Sequence, residues 1–224
     1  MQKFPRLKSH LDSFNLKPQN FKAVLWGFIL LGAFLLLTIL ETWRLFLVVD
    51  PVVTELLQMV TPTFLNLPLS FFSLLGSFEI TTLILLIVVV LEYRKNKTIL
   101  FSLILFGMIL VFEMIGKFFL LHGGPPQEFF RYTLPFSFPT SYVQTGYSFP
   151  SGHVSRTIFL AVIGIFLLRK KVLLIVIIIL TSLAMVYSRI YLGEHWFSDT
   201  LGGVLLGGSM GLLSSCYFPH EDRK

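Results

Sequence analysis

The chain has 224 residues, of which 54% are hydrophobic and only 13% charged, and its mean hydropathy is +0.79. Soluble domains carry roughly 25% charged residues, so this composition excludes a disordered chain, a coiled coil and an ordinary cytosolic enzyme. A polytopic helical membrane protein remains, because several stretches reach the roughly 20 apolar residues that cross a bilayer. The single cysteine excludes a disulfide framework and a cysteine-based metal site.

The hydrophobic pattern predicts an all-α chain with six membrane spans. In chain order they are Ala23 to Leu40, about Phe71 to Leu91, Thr98 to Leu121, about Pro150 to the basic run at Arg169, Val172 to Tyr187, and His195 to Tyr217. Two prolines and a glutamate interrupt residues 50–65, which favours a short helix lying at the far membrane interface. Residues 1–22 and 218–224 are expected to be cytoplasmic ends around a membrane domain of residues 23–217.

The basic residues predict the orientation of these spans. Thirteen of the 18 Lys and Arg residues lie in the N-terminal segment, the loop after the second span, the loop after the fourth span, and the tail. An excess of Lys and Arg marks cytoplasmic loops, so both termini are expected on the cytoplasmic side. The net charge of +6 then reflects topology together with one cationic site, and nucleic acid is not needed to explain it.

Three groups of polar residues break the apolar pattern on the opposite, outer side. They are Lys117 near the end of the third span, the run from Pro150 to His153 that opens the fourth, and the segment from Ser188 to Asp199 that joins the fifth and sixth. Ionisable residues at membrane depth are costly and by default mark function. Their shared side predicts one composite site.

The Pro-Ser-Gly-His run has the residues that an anion site needs. Ser151 is expected to cap a helix, Gly152 lets a ligand approach the backbone, and the amide groups of a helix N-terminus bind phosphate. His153 would face the bound group from the first turn, where it can protonate a leaving group. The alternative is an ordinary helix cap beside an interfacial histidine.

His195 and Asp199 are four residues apart and are expected to share one helix face. An aspartate at that distance holds one imidazole nitrogen and frees the other as a nucleophile. The alternatives are a buried polar pair or half of a metal site; no neighbouring ligands in the sequence complete such a site, so no metal or cofactor is predicted. Arg189, six residues earlier, suits two-pronged binding of phosphate oxygens, or else anchors the interface.

Together these motifs resemble a known family. Pro150-Ser-Gly-His153, followed by Ser188-Arg189, then His195 and Asp199 in the spacing Arg-x5-His-x3-Asp, is similar to the second and third motifs of the type 2 phosphatidic acid phosphatase superfamily. That family includes undecaprenyl-pyrophosphate and phosphatidylglycerophosphate phosphatases. The six-span arrangement matches over nearly the whole chain. The resemblance implies a metal-free mechanism. Together with the topology above, it predicts a multi-pass enzyme of the cell membrane with its site at the outer face.

The resemblance also implies the role of each motif residue. His195 would attack phosphorus and form a phosphohistidine, with Asp199 orienting it. His153 would protonate the leaving oxygen, and water would then release phosphate. The groups implied to hold the phosphoryl oxygens are Lys117, Arg189 and the backbone around Ser151 and Gly152.

One position departs from the family pattern. The first motif reads Lys, six residues, Arg, Pro, whereas here Lys117 is followed at that spacing by Gly124 and Pro125. Losing a cation that clamps phosphate costs roughly a few kcal/mol of transition-state binding if nothing replaces it. Arg156, on the fourth span, is the first candidate replacement and Arg131 the second. The alternative for Arg156 is packing against polar neighbours or reaching for lipid headgroups.

Further polar, aromatic and glycine residues follow simpler rules. Glu113, four residues before Lys117, is expected to pair with it. His122 is expected at the interface, with substrate contact as the alternative, and Glu79 has no predicted role. The aromatic residues of loop 122–149 favour interfacial anchoring over a lid that grips a lipid. Glycines every four residues in the last span predict close helix packing within the bundle.

The predicted function is hydrolysis of a phosphate or diphosphate ester on a lipid. Polyprenyl diphosphate is the first candidate, because an outward-facing site suits a recycled lipid carrier, and phosphatidate or phosphatidylglycerophosphate follow. Membrane lipids are the expected surroundings, and the oligomeric state is left open. The alternative from another class is a lipid-phosphate binder that lost turnover with the arginine. A vanadate-dependent peroxidase or a transporter agrees less well with such a chain.

Overall fold

The computed structural model describes residues 20–136 and 147–218, and every regular element within these ranges is helical. The α-helices in this part of the chain are α1 (Phe21–Thr42), α2 (Val49–Val60), α3 (Asn66–Ser73), α4 (Phe78–Tyr93), α5 (Phe101–Phe119), α6 (Gly152–Leu167), α7 (Val172–Tyr191) and α8 (Phe197–Ser215). The all-α prediction is confirmed over these residues. Most of the predicted cytoplasmic ends, residues 1–22 and 218–224, lies outside the described residues.

Within the described ranges, three helical stretches are long and apolar enough to cross a membrane: Phe21–Thr42, Lys97–Phe119 and Val172–Tyr191. They correspond to the first, third and fifth predicted spans. A fourth is reached if Val49–Val60 and Thr63–Gly76 count as one span, although the two meet at an angle of 102°. The segment expected to lie flat at the interface is therefore part of a bent helical pair.

The other predicted spans are shorter helices in the structure. α4 has 16 residues and begins at Phe78 rather than near Phe71, because the Ser77 hydroxyl caps it by accepting a hydrogen bond from the Ile80 amide at 3.3 Å. α6 also has 16 residues. α8 begins at Phe197, two residues later than the predicted start of the last span. Six spans with cytoplasmic termini therefore stay a proposal.

α8 lies at the centre of the bundle, where it packs against α6 and α1. A Cβ atom added at Gly203, Gly207 or Gly211 would lie within 2.7 Å of the segment formed by residues 151–162. Any larger side chain would push the two helices apart, which confirms the close packing predicted for these glycines. The buried apolar residues around this contact include Phe34, Phe149, Phe159, Leu206 and Met210.

The helices bring their polar residues to one end of the bundle. α1, α5 and α7 end there, whereas α2, α6 and α8 begin there. The Ser151 amide, at the start of α6, donates to the backbone oxygen of Asp199, in the first turn of α8, at 3.0 Å. His122, just after α5, lies 3.0 Å from the Glu41 carboxylate at the end of α1. The three polar groups singled out in the sequence therefore converge.

Candidate active site

The His195–Asp199 pair lies where α8 begins. Trp196 occupies the N-cap position of the helix, so His195 precedes it and Asp199 is in its first turn. Oδ2 of Asp199 accepts a hydrogen bond from the Trp196 amide at 2.9 Å and lies 3.3 Å from Nδ1 of His195. The expected contact forms, although it spans the helix start rather than one helix face. Because Asp199 engages Nδ1, Nε2 is the ring nitrogen available for chemistry.

The Ser151–His153 segment begins α6 directly beside this pair. Ser151 stands at the N-cap, but its hydroxyl makes no capping hydrogen bond and finds no partner in the described part of the chain. The expectation of a side-chain cap is therefore wrong. The segment is held instead through the main chain, by the hydrogen bond from the Ser151 amide to Asp199. The first-turn amides of a helix have no intrahelical acceptors, so this end of α6 offers donors to an anion.

Glu113 joins two of the predicted cationic residues. Its Oε1 accepts a hydrogen bond from Nζ of Lys117 at 2.6 Å, and its Oε2 accepts one from Nη1 of Arg156 at 2.5 Å. The predicted Glu113–Lys117 pair is thus confirmed. The carboxylate also lies directly against Gly152, where an added Cβ would be only 2.0 Å from Oε1. Glycine at this position is therefore required by the close approach of Glu113.

Arg189 is buried at the C-terminal end of α7. Its Nη1 contacts the Glu194 carboxylate and the Ser73 hydroxyl, while its Nε has no hydrogen-bond partner within residues 20–136 and 147–218. Burial raises the pKa of Glu194 above its usual range, although the neighbouring Arg189 charge acts in the opposite direction. The sequence did not indicate this ion pair, because Glu194 lies in a loop and its separation from Arg189 matches no helical spacing.

The two candidate replacements for the missing arginine lie in different surroundings. Arg156 is only 3% exposed and, besides Glu113, it donates to the Gly76 oxygen at 3.3 Å. Arg156 therefore packs against polar neighbours, which was the alternative predicted for it. Its charge nevertheless acts on the imidazole of His153. Arg131 instead donates to the Gln58 backbone oxygen at 3.3 Å. Of the two, only Arg156 is tied to the motif residues.

Positive charge converges on His153. The Lys and Arg side chains that act on it are Lys117, Arg156 and Arg189. The carboxylates of Glu113 and Glu194 pair with these cations, which leaves one positive charge before the histidines are counted. The N-terminus of α6 adds the partial positive charge of a helix end. This combination suits a phosphate group.

A further polar group lies behind Asp199, and the sequence gave no indication of it. Nδ1 of His122 is 3.0 Å from Oε2 of Glu41, and Nε2 is 3.3 Å from Oδ1 of Asp199. A carboxylate oxygen of Asp50 lies 3.9 Å from the same Nε2. Glu41 and Asp50 are both buried, at 3% exposure. These residues come from four separate helix ends, so no local spacing could have predicted their contact.

Glu41, Asp50 and His122 are also the one group in the described part of the chain whose ligand atoms all lie within 4.8 Å of one another. However, the Ser198 amide and hydroxyl donate to the Asp50 carboxylate at 2.9 and 2.7 Å. Both ring nitrogens of His122 face carboxylates, which is the arrangement of a doubly protonated imidazolium. Burial disfavours that charge, but Glu41, Asp199 and Asp50 together outweigh it and raise the pKa of His122.

An apolar cavity of about 310 Å³ lies beside the site, between α4, α6 and α7. Thr157, one helical turn after His153, and Leu75, next to Gly76, line it near the site, and Ile84 lines it further along. A hydrocarbon chain would find apolar walls there while its polar end remained at the motif residues.

The aromatic loop predicted at 122–149 is described in part, and residues 137–146 lie outside the described residues. Phe149 is fully buried and stacks on Phe34 with a centroid distance of 5.9 Å. Phe130 and Phe136 are exposed. The end of the loop thus belongs to the core, and its exposed rings are those that suit a membrane interface.

Comparisons with known proteins agree with this geometry. A family model described as the PAP2 superfamily matches residues 98–223. The lipid A 4'-phosphatase of Bacteroides thetaiotaomicron is 40% identical over 68 residues, which are 30% of this chain and 30% of that protein. The match therefore spans less than a third of that relative.

A solved structure has the same fold over most of its length. It is a transmembrane PAP2-type phosphatidylglycerolphosphate phosphatase from Bacillus subtilis, with a TM-score of 0.68, 21% sequence identity, and coverage of 84% of this chain and 93% of that one. Together with the apolar helices, this similarity identifies a multi-pass membrane protein.

Proposed function

The chain belongs to the PAP2 superfamily, and from that premise we propose that it is a membrane lipid phosphatase that works through a phosphohistidine at His195. One observation carries the proposal. The contact between Nδ1 of His195 and Oδ2 of Asp199 lies beside the N-terminus of α6, to which it is joined by the Ser151–Asp199 hydrogen bond. A supported imidazole next to a helix end that binds anions has the parts needed for phosphoryl transfer.

In the first step, Nε2 of His195 attacks phosphorus, a P–N bond forms, and the P–O bond to the lipid breaks. Asp199 stabilises the positive charge that the imidazole acquires. Protonated His153 donates its proton to the leaving oxygen as the bond breaks. The products of this step are the phosphohistidine and a lipid that bears a hydroxyl group or, from a diphosphate, one remaining phosphate.

In the second step, water attacks the phosphohistidine from the side of His153. Neutral His153 accepts a proton from this water, the P–N bond breaks, and inorganic phosphate leaves. Lys117, Arg189 and the first-turn amides of α6 stabilise the charge on the phosphoryl oxygens in both steps. Arg156 acts indirectly, because it shares the Glu113 carboxylate with Lys117.

The proposed substrate is a lipid phosphate rather than a water-soluble ester. The apolar cavity between α4, α6 and α7 supports this class, because it begins one turn from His153. Polyprenyl diphosphate remains the first candidate, followed by phosphatidate and phosphatidylglycerophosphate. The local similarity to a lipid A 4'-phosphatase adds phosphorylated lipid A to the panel.

We further propose six spans, with both termini in the cytoplasm and the site at the outer face. The distribution of Lys and Arg along the chain supports this orientation. Gln127 and Lys95 are both exposed and fall on opposite sides in this topology. Gln127→Cys should react with a membrane-impermeant thiol reagent in intact cells, and Lys95→Cys only after the membrane is opened. The reverse pattern would overturn the orientation.

The function is tested by measuring phosphate release from this lipid panel in detergent, with and without EDTA. Turnover should survive the chelator and be lost in His195→Ala. Asp199→Asn keeps the shape of the side chain but removes its charge, and should lower kcat by about a hundredfold to ten-thousandfold. Glu128→Gln makes the same chemical change at an exposed residue of the outer loop and serves as the matched control.

The opposite result has a clear meaning. If the purified protein binds the lipids but releases no phosphate from any of them, the chain is a lipid-phosphate binder rather than an enzyme. If release stops with EDTA and returns with a divalent ion, the metal-free mechanism is wrong. If His195→Ala keeps wild-type turnover, the phosphohistidine is on another residue or does not form.

A further inference from the structure

We propose that His122 is a positioning residue for Asp199, so that the nucleophile His195 is supported by a buried chain of Glu41, His122 and Asp199. The inference rests on the proposed function, since it concerns the efficiency of the same site. Neither the second nor the third motif contains His122. Its assignment comes from the contacts that it makes behind the catalytic pair.

The Asp199 carboxylate depends on His122 at one of its two oxygens. Oδ2 accepts the Trp196 amide and faces His195, so this oxygen is held on two sides. Oδ1 is buried and has no other hydrogen-bond donor within the described residues. Nε2 of His122, at 3.3 Å, is the group placed to donate to it. Without His122, Oδ1 would be a buried acceptor without a donor, and the carboxylate would turn to find one. That movement would weaken its contact with His195.

The charges around His122 also favour this role. Glu41, Asp50 and Asp199 place three carboxylates around His122 from α1, α2 and α8, and these are the ionisable groups that face its ring. Asp50 is bonded by Ser198, whereas Oε1 of Glu41 has no hydrogen-bond partner among residues 20–136 and 147–218. Buried like charges are unfavourable unless a cation lies among them. A protonated His122 meets this requirement.

The His122 ring is itself held in place by its neighbours. The ring contacts the edge of Phe149 at a centroid distance of 6.4 Å, and the His122 backbone oxygen accepts the Ser148 amide at 3.0 Å. Ser148 and Phe149 lead directly into the Pro-Ser-Gly-His run. The ring is therefore fixed relative to both motifs, as a positioning residue must be.

The test compares His122→Gln and His122→Leu with the wild type in phosphate release. Glutamine keeps a neutral donor where Nε2 stands, whereas leucine keeps only the bulk. His220→Gln makes the same change in the C-terminal tail and is the matched control. We expect kcat to fall about tenfold in His122→Gln and about a hundredfold in His122→Leu, with KM changed less than about twofold. His220→Gln should match the wild type.

The pH profile separates positioning from a merely structural role. The pKa of His122 is raised by the carboxylates around it, and both His122 variants lack its positive charge. The limb of the kcat–pH profile over which His122 loses its proton should therefore be absent from both variants, while they still melt cooperatively. An unchanged limb, with kcat within about twofold of the wild type, would overturn the inference. Equal losses of kcat in His122→Gln and His122→Leu, together with a matching fall in melting temperature, would also overturn it. A stoichiometric metal ion in the wild type, absent from Glu41→Gln, would also overturn it.

Failure of the proposed function can be told apart from failure of this inference. If the wild type releases no phosphate from any lipid, the phosphatase proposal fails and there is no kcat to compare between variants. The imidazole ¹⁵N NMR signals of His195 then decide the matter. They should shift in His122→Gln but not in His220→Gln, and identical signals in both variants would reject the coupling through Asp199.

Discussion

Replacing Gly152 by alanine tests how the site is built with the smallest possible change. The added methyl carbon would lie 2.0 Å from Oε1, 2.3 Å from Cδ and 2.4 Å from Oε2 of Glu113. The nearest oxygen must therefore retreat by about 1 Å to reach an allowed contact. The same carboxylate accepts Lys117 at 2.6 Å and Arg156 at 2.5 Å, so this movement disturbs both ion pairs.

The size of the effect follows from these contacts. Overpacking of a tight interior costs about 1–3 kcal/mol, and losing one buried ion-pair contact costs about 3–5 kcal/mol. At about 2–4 °C per kcal/mol for a chain of this size, overpacking should lower the melting temperature of Gly152→Ala by roughly 2 to 12 °C, and the lost ion-pair contact should add roughly 6 to 20 °C. A shift of about 1 Å in groups near the chemistry costs about a hundredfold in rate, and we expect that loss in kcat.

The assay combines thermal melting in detergent with phosphate release, for Gly152→Ala in the wild-type and Glu113→Ala backgrounds. Removing Glu113 removes the obstacle, so the second background should lose far less from the added methyl group. Gly107→Ala is the control, because its Cβ would meet nothing within 4 Å. Equal losses from Gly152→Ala in both backgrounds, or none in either, would refute the claim that Glu113 occupies this space.

Three further predictions concern other parts of the molecule. Arg131→Gln should keep phosphate release within about twofold of the wild type, because the Arg131 guanidinium binds the Gln58 backbone. A larger loss would support Arg131 as the replacement for the missing arginine. Gly207→Ala should cost about 1–3 kcal/mol of stability, since its Cβ would lie 2.2 Å from the Ser155 backbone oxygen, and an unchanged melting temperature would contradict the packing of α8 on α6. Because the pKa of His122 is raised, its charge adds stability that is complete below about pH 6.5 and is lost as the pH rises through the folded-state pKa. The melting temperature of the wild type should accordingly fall more steeply over that window than that of His122→Gln, and parallel curves would contradict a charged His122.

The separation of residues along the chain explains how far the sequence could predict the site. His195 and Asp199 are close in sequence, so their contact follows from local geometry even though the helix starts between them. The Glu113–Lys117 pair follows from helical spacing in the same way. Arg189 and Glu194 also lie close together, but the loop between them has no fixed period, and their pairing could not be predicted from spacing.

The spans show a similar division. Long apolar runs predicted the helices Phe21–Thr42, Lys97–Phe119 and Val172–Tyr191 to within a few residues, because burial in lipid requires little more than length and hydropathy. The sharp bend between Val49–Val60 and Thr63–Gly76 was not predicted. Prolines indicate an interruption there, but the angle depends on what the second helix packs against.

The sequence by itself determined the helical class, the lengths of the apolar runs, the residue types of the candidate site and the order of the two motifs, since each can be read from a single continuous stretch of the chain. Only the tertiary structure decided that Glu113 also accepts a hydrogen bond from Arg156, and that His122 lies between Glu41 and Asp199. The residues in each of these contacts lie far apart in the chain, on or beside separate helices. Charges meet across that distance only when the packing of the helices is complete.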